Sequence, residues 1–199
     1  MAEFCSIEEQ ITIACGDEYA TSGLGLIYLA PVKSIDESGV TAGGVIHDFS
    51  AFALKNSEKW SVLEGKIDTL SYGAESSKDG QGLAYTPTIE GYTPSNDEIK
   101  SAALEKLANQ RLVAIVKLNV KDSATGNNKA IVIGYDNKRG IGAGAHFTFN
   151  PIIEAENGTK NGYDFTLVSN AGESPRFANF GITAEDGSTG ESVLYGSAT

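Results

Sequence analysis

Apolar residues in this chain follow two periods, a four-residue step in one stretch and near-alternation in most others. The helical stretch opens with Ser95 and Glu98 at the three-residue spacing of a capping box, in which each side chain bonds the other residue's backbone N–H. Apolar positions then recur on one stripe: Ile99, Ala103 and Leu107. This spacing predicts a helix over residues 96–109 that packs through the stripe against a sheet.

Most other apolar runs predict β-strands, because they are β-branched or alternate with polar residues. Four such runs follow the helix: residues 111–118, 129–134, 146–150 and 162–169. Residues 119–128 are rich in turn formers and predict the loop of a hairpin. The helix is expected to lie on the sheet that contains these positions: Val113, Ile115, Ile131 and Ile133.

The first half of the chain is expected to contribute further strands. Residues 26–32 predict a first strand, with Pro31 at its end. The same pattern assigns a long pair of strands to residues 45–54 and 59–72, and an extended stretch to residues 83–93. Residues 38–44 predict a turn. Residues 73–82 are polar and glycine-rich, which predicts a mobile loop with a role in assembly.

A chain of 199 residues that is 41% hydrophobic has the composition of one folded domain. The pattern assigns residues 24–170 to a mainly β (α+β) domain with one flanking helix, residues 1–23 to an N-terminal arm and residues 171–199 to a C-terminal extension. The arm fits a helix as well as a strand. It contains Cys5 and Cys15, which are expected to be small thiols in a reducing compartment, with their pairing left open.

No stretch of the sequence has the pattern of a catalytic, cofactor or metal site. The glycines of residues 140–144 come closest to a phosphate-binding loop, but the third glycine comes one position early and a strand follows instead of a helix. His47 and His146 lack a second ligand type at metal-site spacing. We therefore expect a protein that is not an enzyme and holds neither cofactor nor metal.

The charge of the chain limits the classes of molecule that it is expected to bind. It has 26 acidic and 15 basic residues, for a net charge of −11. Binding of DNA or RNA needs Lys and Arg on phosphates, so this charge argues against a nucleic-acid-binding protein. No signal-peptide pattern is present, and no apolar run reaches the roughly 18 residues of a membrane helix. We expect synthesis in the cytoplasm and no membrane partner.

The order of these features resembles that of tail-tube and ring-forming virion proteins of tailed bacteriophages, especially crAss-like and related phages of gut bacteria. The resemblance covers roughly residues 24–170. It consists of a general layout without a catalytic box. Its parts are GLGLIYLA at residues 23–30, two long strands, the helix leading into RLVAIV at residues 111–116, AIVIG at residues 130–134 and NGYDF at residues 161–165.

The resemblance implies an antiparallel β-sandwich-like or barrel-like protomer that assembles with itself, usually as hexameric rings, around a channel for DNA. The protein would lie in the virion as a tail tube, collar ring or terminator, beside other tail, collar or portal proteins. DNA would pass an acidic lining without specific binding. Four carboxylates are candidates for that lining: Glu64, Asp68, Asp136 and Asp164.

Two alternatives stay open beside the ring or tube. The first is a head decoration or minor capsid protein, which would share the β-rich layout and the absence of catalysis. The second is a carbohydrate-binding domain on the particle surface. Assembly distinguishes the first from a tail protein, because a tail protein forms rings or tubes and a decoration protein forms trimers or isolated protomers.

Overall fold

The computed structural model describes residues 24–43, 47–55, 58–66, 69–79, 82–94, 98–121, 128–153, 161–178 and 180. Within these ranges the chain is mainly β with one flanking α-helix, as the sequence predicts. The elements in chain order are β1 (Leu24–Pro31), β2 (Ile35–Ala42), β3 (Asp48–Leu54), β4 (Ser61–Leu63), β5 (Ser71–Asp79), β6 (Gly82–Pro94), α1 (Glu98–Ala108), β7 (Arg111–Lys121), β8 (Asn128–Ile133), β9 (Ala145–Ile153), β10 (Asn161–Val168) and β11 (Phe177–Ala178).

The described strands form one open, mixed sheet in the order β2-β3-β11-β8-β7-β9-β10-β6-β5, with β1 paired to β7 and β4 paired to β1. The pairings are antiparallel except that of β11 with β3. Both β8 and β9 pair with β7: Ala114 opposes Ile133 of β8, and Leu112 opposes Ala145 of β9. The chain therefore leaves the sheet after β8 and rejoins it at β9, two positions further along β7.

Gly134 marks the point where the chain leaves the sheet. Its φ is 84°, and a Cβ there would lie 2.3 Å from the carbonyl oxygen of Leu112, so this position needs glycine. The excursion contains a short 3₁₀ helix, Ile141–Ala143, and returns at Ala145. The glycines of residues 140–144 thus belong to a turn between two strands, which confirms the prediction.

Alternate residues of β7 belong to two hydrophobic cores, which lie on opposite faces of the sheet. Leu112, Ala114 and Val116 point into the first core, and Val113 and Ile115 into the second. Residues of both halves of the sheet and of α1 form the first core. Its large side chains include Ile27, Leu29, Ile89, Leu104, Phe147, Tyr163, Phe165 and Leu167. The second is rich in aromatic side chains: Tyr28, Phe49, Phe52, Trp60 and Phe180.

Helix α1 forms where the sequence predicts it, but its buried face differs. Leu104 is 2% exposed and Leu107 is half-buried against the first core, whereas Ile99 is 85% exposed and Ala103 is also exposed. A strict four-residue step drifts around a helix of 3.6 residues per turn, so Ile99 leaves the face that Leu107 occupies. The predicted stripe is therefore wrong at its first two positions.

The helix lies on the predicted sheet, whose strands β7 and β8 contain Val113, Ile115, Ile131 and Ile133. Ile131 and Ile133 belong to the first core, the one that contains Leu104. Val113 and Ile115 belong to the second core, on the other face of the sheet. The alternation of a strand that is buried on both faces hides which residues face the helix.

The predicted pairing of residues 45–54 with residues 59–72 is wrong. β3 pairs instead with β2, which occupies most of the predicted turn at residues 38–44, and with β11. Residues 59–72 hold only β4 and the first two residues of β5. Gly65 lies between them, and a Cβ there would be 2.5 Å from Cδ2 of Leu70, so the chain folds back on itself at this point.

The loop predicted at residues 73–82 is wrong for the residues described there, 73–79 and 82, which lie in strands. Ser71–Asp79 and Gly82–Pro94 form a hairpin of nine consecutive residue pairs, from Ser71 opposite Glu90 to Asp79 opposite Gly82. β7 likewise continues into the predicted 119–128 loop, where Lys121 opposes Asn128. At the other end, β11 and the buried Phe180 bring residues beyond 170 into the described sheet and core.

Candidate assembly surface

β5 forms one edge of the sheet and is exposed along most of its length. Ser71 and residues 73–78 are exposed, and Tyr72 is half-buried against the first core. The register with β6 runs without a bulge. At about 3.3 Å per residue, a strand of this length presents an edge of roughly 30 Å.

The even-numbered residues of β5 present their backbone N–H and C=O groups to the open edge. Tyr85 of β6 exchanges both backbone hydrogen bonds with Ala171, at 3.0 and 2.9 Å, on the side away from β5. Ser76, which opposes Tyr85 in the hairpin, is therefore in a non-hydrogen-bonded pair and points its own backbone groups outward. Ala74 opposes Pro87, and the carbonyl of Pro87 accepts a hydrogen bond from the Ser169 N–H. Ala74 therefore also points its backbone groups outward.

The other two terminal strands in the described sheet, β2 and β4, are less suited to pairing. β2 has register shifts on both sides of Thr41, between Asp36 and Ala42, and bulges of this kind bend an edge away from a partner. β4 is only three residues long. β5 is thus the longest and most regular of the three terminal strands in the described sheet.

The tip of the β5–β6 hairpin extends past the rest of the sheet. The pairing of β6 with β10 ends at Thr88 opposite Val168, and the bridge between Tyr85 and Ala171 is the last contact along that side. Beyond it lies Leu83, which is 49% exposed. An apolar side chain at an exposed tip is a suitable anchor for a neighbouring protein.

The outer face of β5, β6, β9 and β10 is polar and acidic. Directly opposed residues share a face, and Glu90 stands between Ser71 and Thr166. Asp164 opposes Asn150 on the same face. The described parts of these four strands place no Lys or Arg on it. We call this surface the acidic face.

The carboxylates proposed for a channel lining fall in different settings. Glu64 is exposed after β4, and Asp164 lies on the acidic face. Asp68 lies outside the described residues. Sequence reasoning missed Glu90, because a single exposed glutamate in a strand has no local signal that distinguishes it from any other surface residue.

Asp136 is a structural residue, so its assignment to a lining is wrong. It is 2% exposed. Its Oδ1 accepts hydrogen bonds from the backbone N–H groups of Lys138 and Arg139, and its Oδ2 accepts one of 2.8 Å from the N–H of Gly172. A carboxylate that closes a turn and holds a distant segment has no free oxygen to face a channel.

An ion pair fixes the segment that precedes β11. Arg176 donates from Nε and Nη2 to the two carboxylate oxygens of Glu173, at 2.8 and 3.0 Å. Glu173 also accepts the N–H of Asn137 at 2.7 Å. The bond from Arg176 lowers the pKa of the Glu173 carboxyl, and the same pair raises the pKa of Arg176. These hydrogen bonds join residues 136–139 to the segment before β11 and stabilise the fold.

The described residues include no group of three or more His, Cys, Asp or Glu side chains that could hold a metal ion. Nε2 of His47 lies 2.7 Å from the carbonyl oxygen of Ser174, and His146 is exposed on β9. Cys5 and Cys15 lie outside the described residues. No helix in the described ranges is long and apolar enough to cross a membrane.

Comparison with known protein families, with characterised proteins and with solved structures finds no match to this chain. The argument about function therefore starts from the surface itself. Two features of that surface bear on it, namely the open edge of β5 and the acidic face beside it.

Proposed function

We propose that this chain is a virion structural protein that assembles with itself into rings or a tube around a DNA channel. The edge of β5 is the observation that carries the proposal. Folded proteins usually protect a long sheet edge with bulges, charges or a covering segment, because an open edge pairs with another chain. β5 has an unbroken register, and five of its nine residues are Ser, Gly or Ala, with charges only at Glu75, Lys78 and Asp79, so most of its length is open to pairing.

A ring requires that the β5 edge contact a different surface of the next protomer, because pairing of β5 with its own copy would give a twofold dimer. β5 is the last strand of the sheet path and β2 is the first, so the two ends present different surfaces. A contact between β5 of one protomer and a different surface of the next is heterologous. Repetition of such a contact closes into a ring or continues as an open tube.

The acidic face supports a channel role. In a ring whose protomers pair through β5, the neighbouring face of β5, β6, β9 and β10 can line the opening. Its carboxylates, with Glu90 near the middle, repel phosphates, and the described parts of those strands place no Lys or Arg on this face. The net charge of −11 points the same way.

Negative-stain electron microscopy of the purified full chain tests the proposal. Annuli with a central hole, single or stacked, would support it, and tail, collar or portal proteins would then be the natural partners to test. Discrete trimers or monomers at high protein concentration would contradict it and favour a head decoration or minor capsid protein. Binding to a glycan array without assembly would favour a carbohydrate-binding domain.

A further inference from the structure

A groove of about 790 Å³ lies between α1 and the segment that starts with β4. Its lining includes these apolar residues: Val62, Leu63, Ala103, Leu104 and Leu107. Among the described residues that line it are three lysines, Lys66, Lys100 and Lys106, and one carboxylate, that of Glu64. The groove is therefore apolar inside and positively charged around it, in a chain that is strongly negative overall.

The groove also offers backbone and amide groups for hydrogen bonding. Within the described residues, β4 pairs only with β1. Gln110 lines the groove, and its Nε2 donates to the carbonyl of Lys106 at 3.1 Å. Its buried Oε1 has no hydrogen-bond partner among the described residues. A buried acceptor without a donor is costly. The groove thus fits an occupant with apolar side chains, backbone N–H groups and negative charge.

We propose that the groove binds the first 23 residues of the same chain. This segment contains no Lys or Arg and has five acidic residues: Glu3, Glu8, Glu9, Asp17 and Glu18. Large apolar residues lie among the acidic ones: Phe4, Ile7, Ile11 and Ile13. Its charge complements the three lysines, and its apolar residues match the lining. The docking does not depend on ring assembly.

The point of entry supports docking within one chain. Residue 23 immediately precedes β1. Ile27 of β1 opposes Leu63 of β4, and the residues that follow Leu63 line the groove. Phe180 instead lies in the second core, on the face of the sheet away from Leu104 and α1, so the last residues start from the opposite side. A segment tethered beside its site acts at a high effective concentration, which favours the first 23 residues.

The native cysteines allow a direct test in the full chain. Cys5 and Cys15 are its only two cysteines, and Ala103 is an exposed residue of the groove. After Ala103→Cys and mild oxidation, the new thiol should form an intramolecular disulfide with Cys5 or Cys15, since this bond needs Cα atoms within about 7 Å. Peptide mapping and a non-reducing gel measure its yield. Thr148→Cys, exposed on β9, is the matched control and should give at least about fivefold less.

Charge reversal then separates docking from chance encounters. Lys66→Glu with Lys106→Glu, both exposed, should lower the disulfide yield of the Ala103→Cys chain several-fold, and adding Glu8→Lys with Glu9→Lys should restore it. Thermal melts confirm that each variant is folded. Equal yields at positions 103 and 148, no effect of charge reversal, or disulfides only between chains would each overturn the proposal. A monomeric protein suffices for every arm, so these results do not depend on ring formation.

Discussion

Gly91 of β6 and Phe165 of β10 stand directly opposite each other, and the Phe165 ring covers the space above the glycine. A Cβ at position 91 would lie 2.7 Å from Cζ of Phe165 and 2.4 Å from Cδ2 of Leu70. The missing side chain thus lets Leu70 reach the first core from the loop before β5. This contact ties the edge hairpin to the body of the sheet.

Gly91→Ala is expected to lower the free energy of unfolding by about 1–3 kcal/mol, because an added methyl overpacks this contact. Gly73→Ala is the control: it lies on β5, where a Cβ would have no atom within 4 Å. Urea unfolding of both variants measures the difference. Equal stability of the two variants would show that the sheet relaxes around position 91 without cost.

Leu104→Ala should destabilise the fold by about 2–5 kcal/mol, because it leaves a cavity between α1 and the first core. Ile99→Ala changes the same helix at a position that is 85% exposed and should shift stability by no more than about 0.5 kcal/mol. Thermal or urea unfolding distinguishes the two. A larger loss for Ile99→Ala would mean that another protomer or segment covers this face.

The ion pair of Glu173 with Arg176 predicts a pH dependence of stability. Arg176 lowers the pKa of Glu173 in the folded chain below its ordinary value of 4.5. The pair's contribution should therefore be fully present above pH 4.5 and decline as the pH falls through the lowered pKa. Glu173→Gln should be less stable than the wild type at pH 7, and this gap should narrow on acidification. Urea unfolding at several pH values would detect a gap that stays constant, which would contradict the prediction.

The assembled protein should not bind duplex DNA. The acidic face and the net charge of −11 both repel phosphates. A gel-shift titration at low salt is the most demanding assay, because weak phosphate contacts are strongest there. Tight binding that weakens with added salt would rule out a channel that lets DNA slide and would indicate a DNA-associated protein.

The sequence predicts the helix and the strands that have strong local patterns. The start of α1 at Glu98 and the β-branched or alternating runs of β7 to β10 arise from short-range preferences that a sequence displays directly. Ser95, the other residue of the predicted capping box, lies outside the described residues. The sequence does not show which helix residues are buried, because the burial of Leu104 depends on the sheet beneath the helix.

Two strands, β2 and β5, were not predicted, because their residues have the composition that is typical of turns. β2 has the sequence IDESGVTA and β5 has SYGAESSKD, both small, polar and charged. Each is a strand because of its partner, β3 for β2 and β6 for β5, and tertiary pairing overrides weak local propensity. The candidate assembly surface depends on β5, so it too was hidden: the sequence predicted an assembly role for residues 73–82, but as a loop.

Ser76→Pro tests the pairing edge more cleanly than removal of residues 74–81, which would delete most of β5. Proline at this position removes an N–H that points away from β6, so the hairpin keeps its own bonds and the protomer should stay folded. Ser76→Ala keeps the N–H and serves as the matched control. Circular dichroism and thermal melts confirm the fold of both variants.

The mass of particles formed by the wild type, Ser76→Ala and Ser76→Pro, measured by sedimentation velocity over a range of protein concentrations, tests the central claim most directly. We predict rings or longer assemblies for the wild type and for Ser76→Ala, and folded monomers for Ser76→Pro. A folded Ser76→Pro protein that assembles like the wild type, or a wild type that stays monomeric at every concentration, would contradict assembly through the edge of β5.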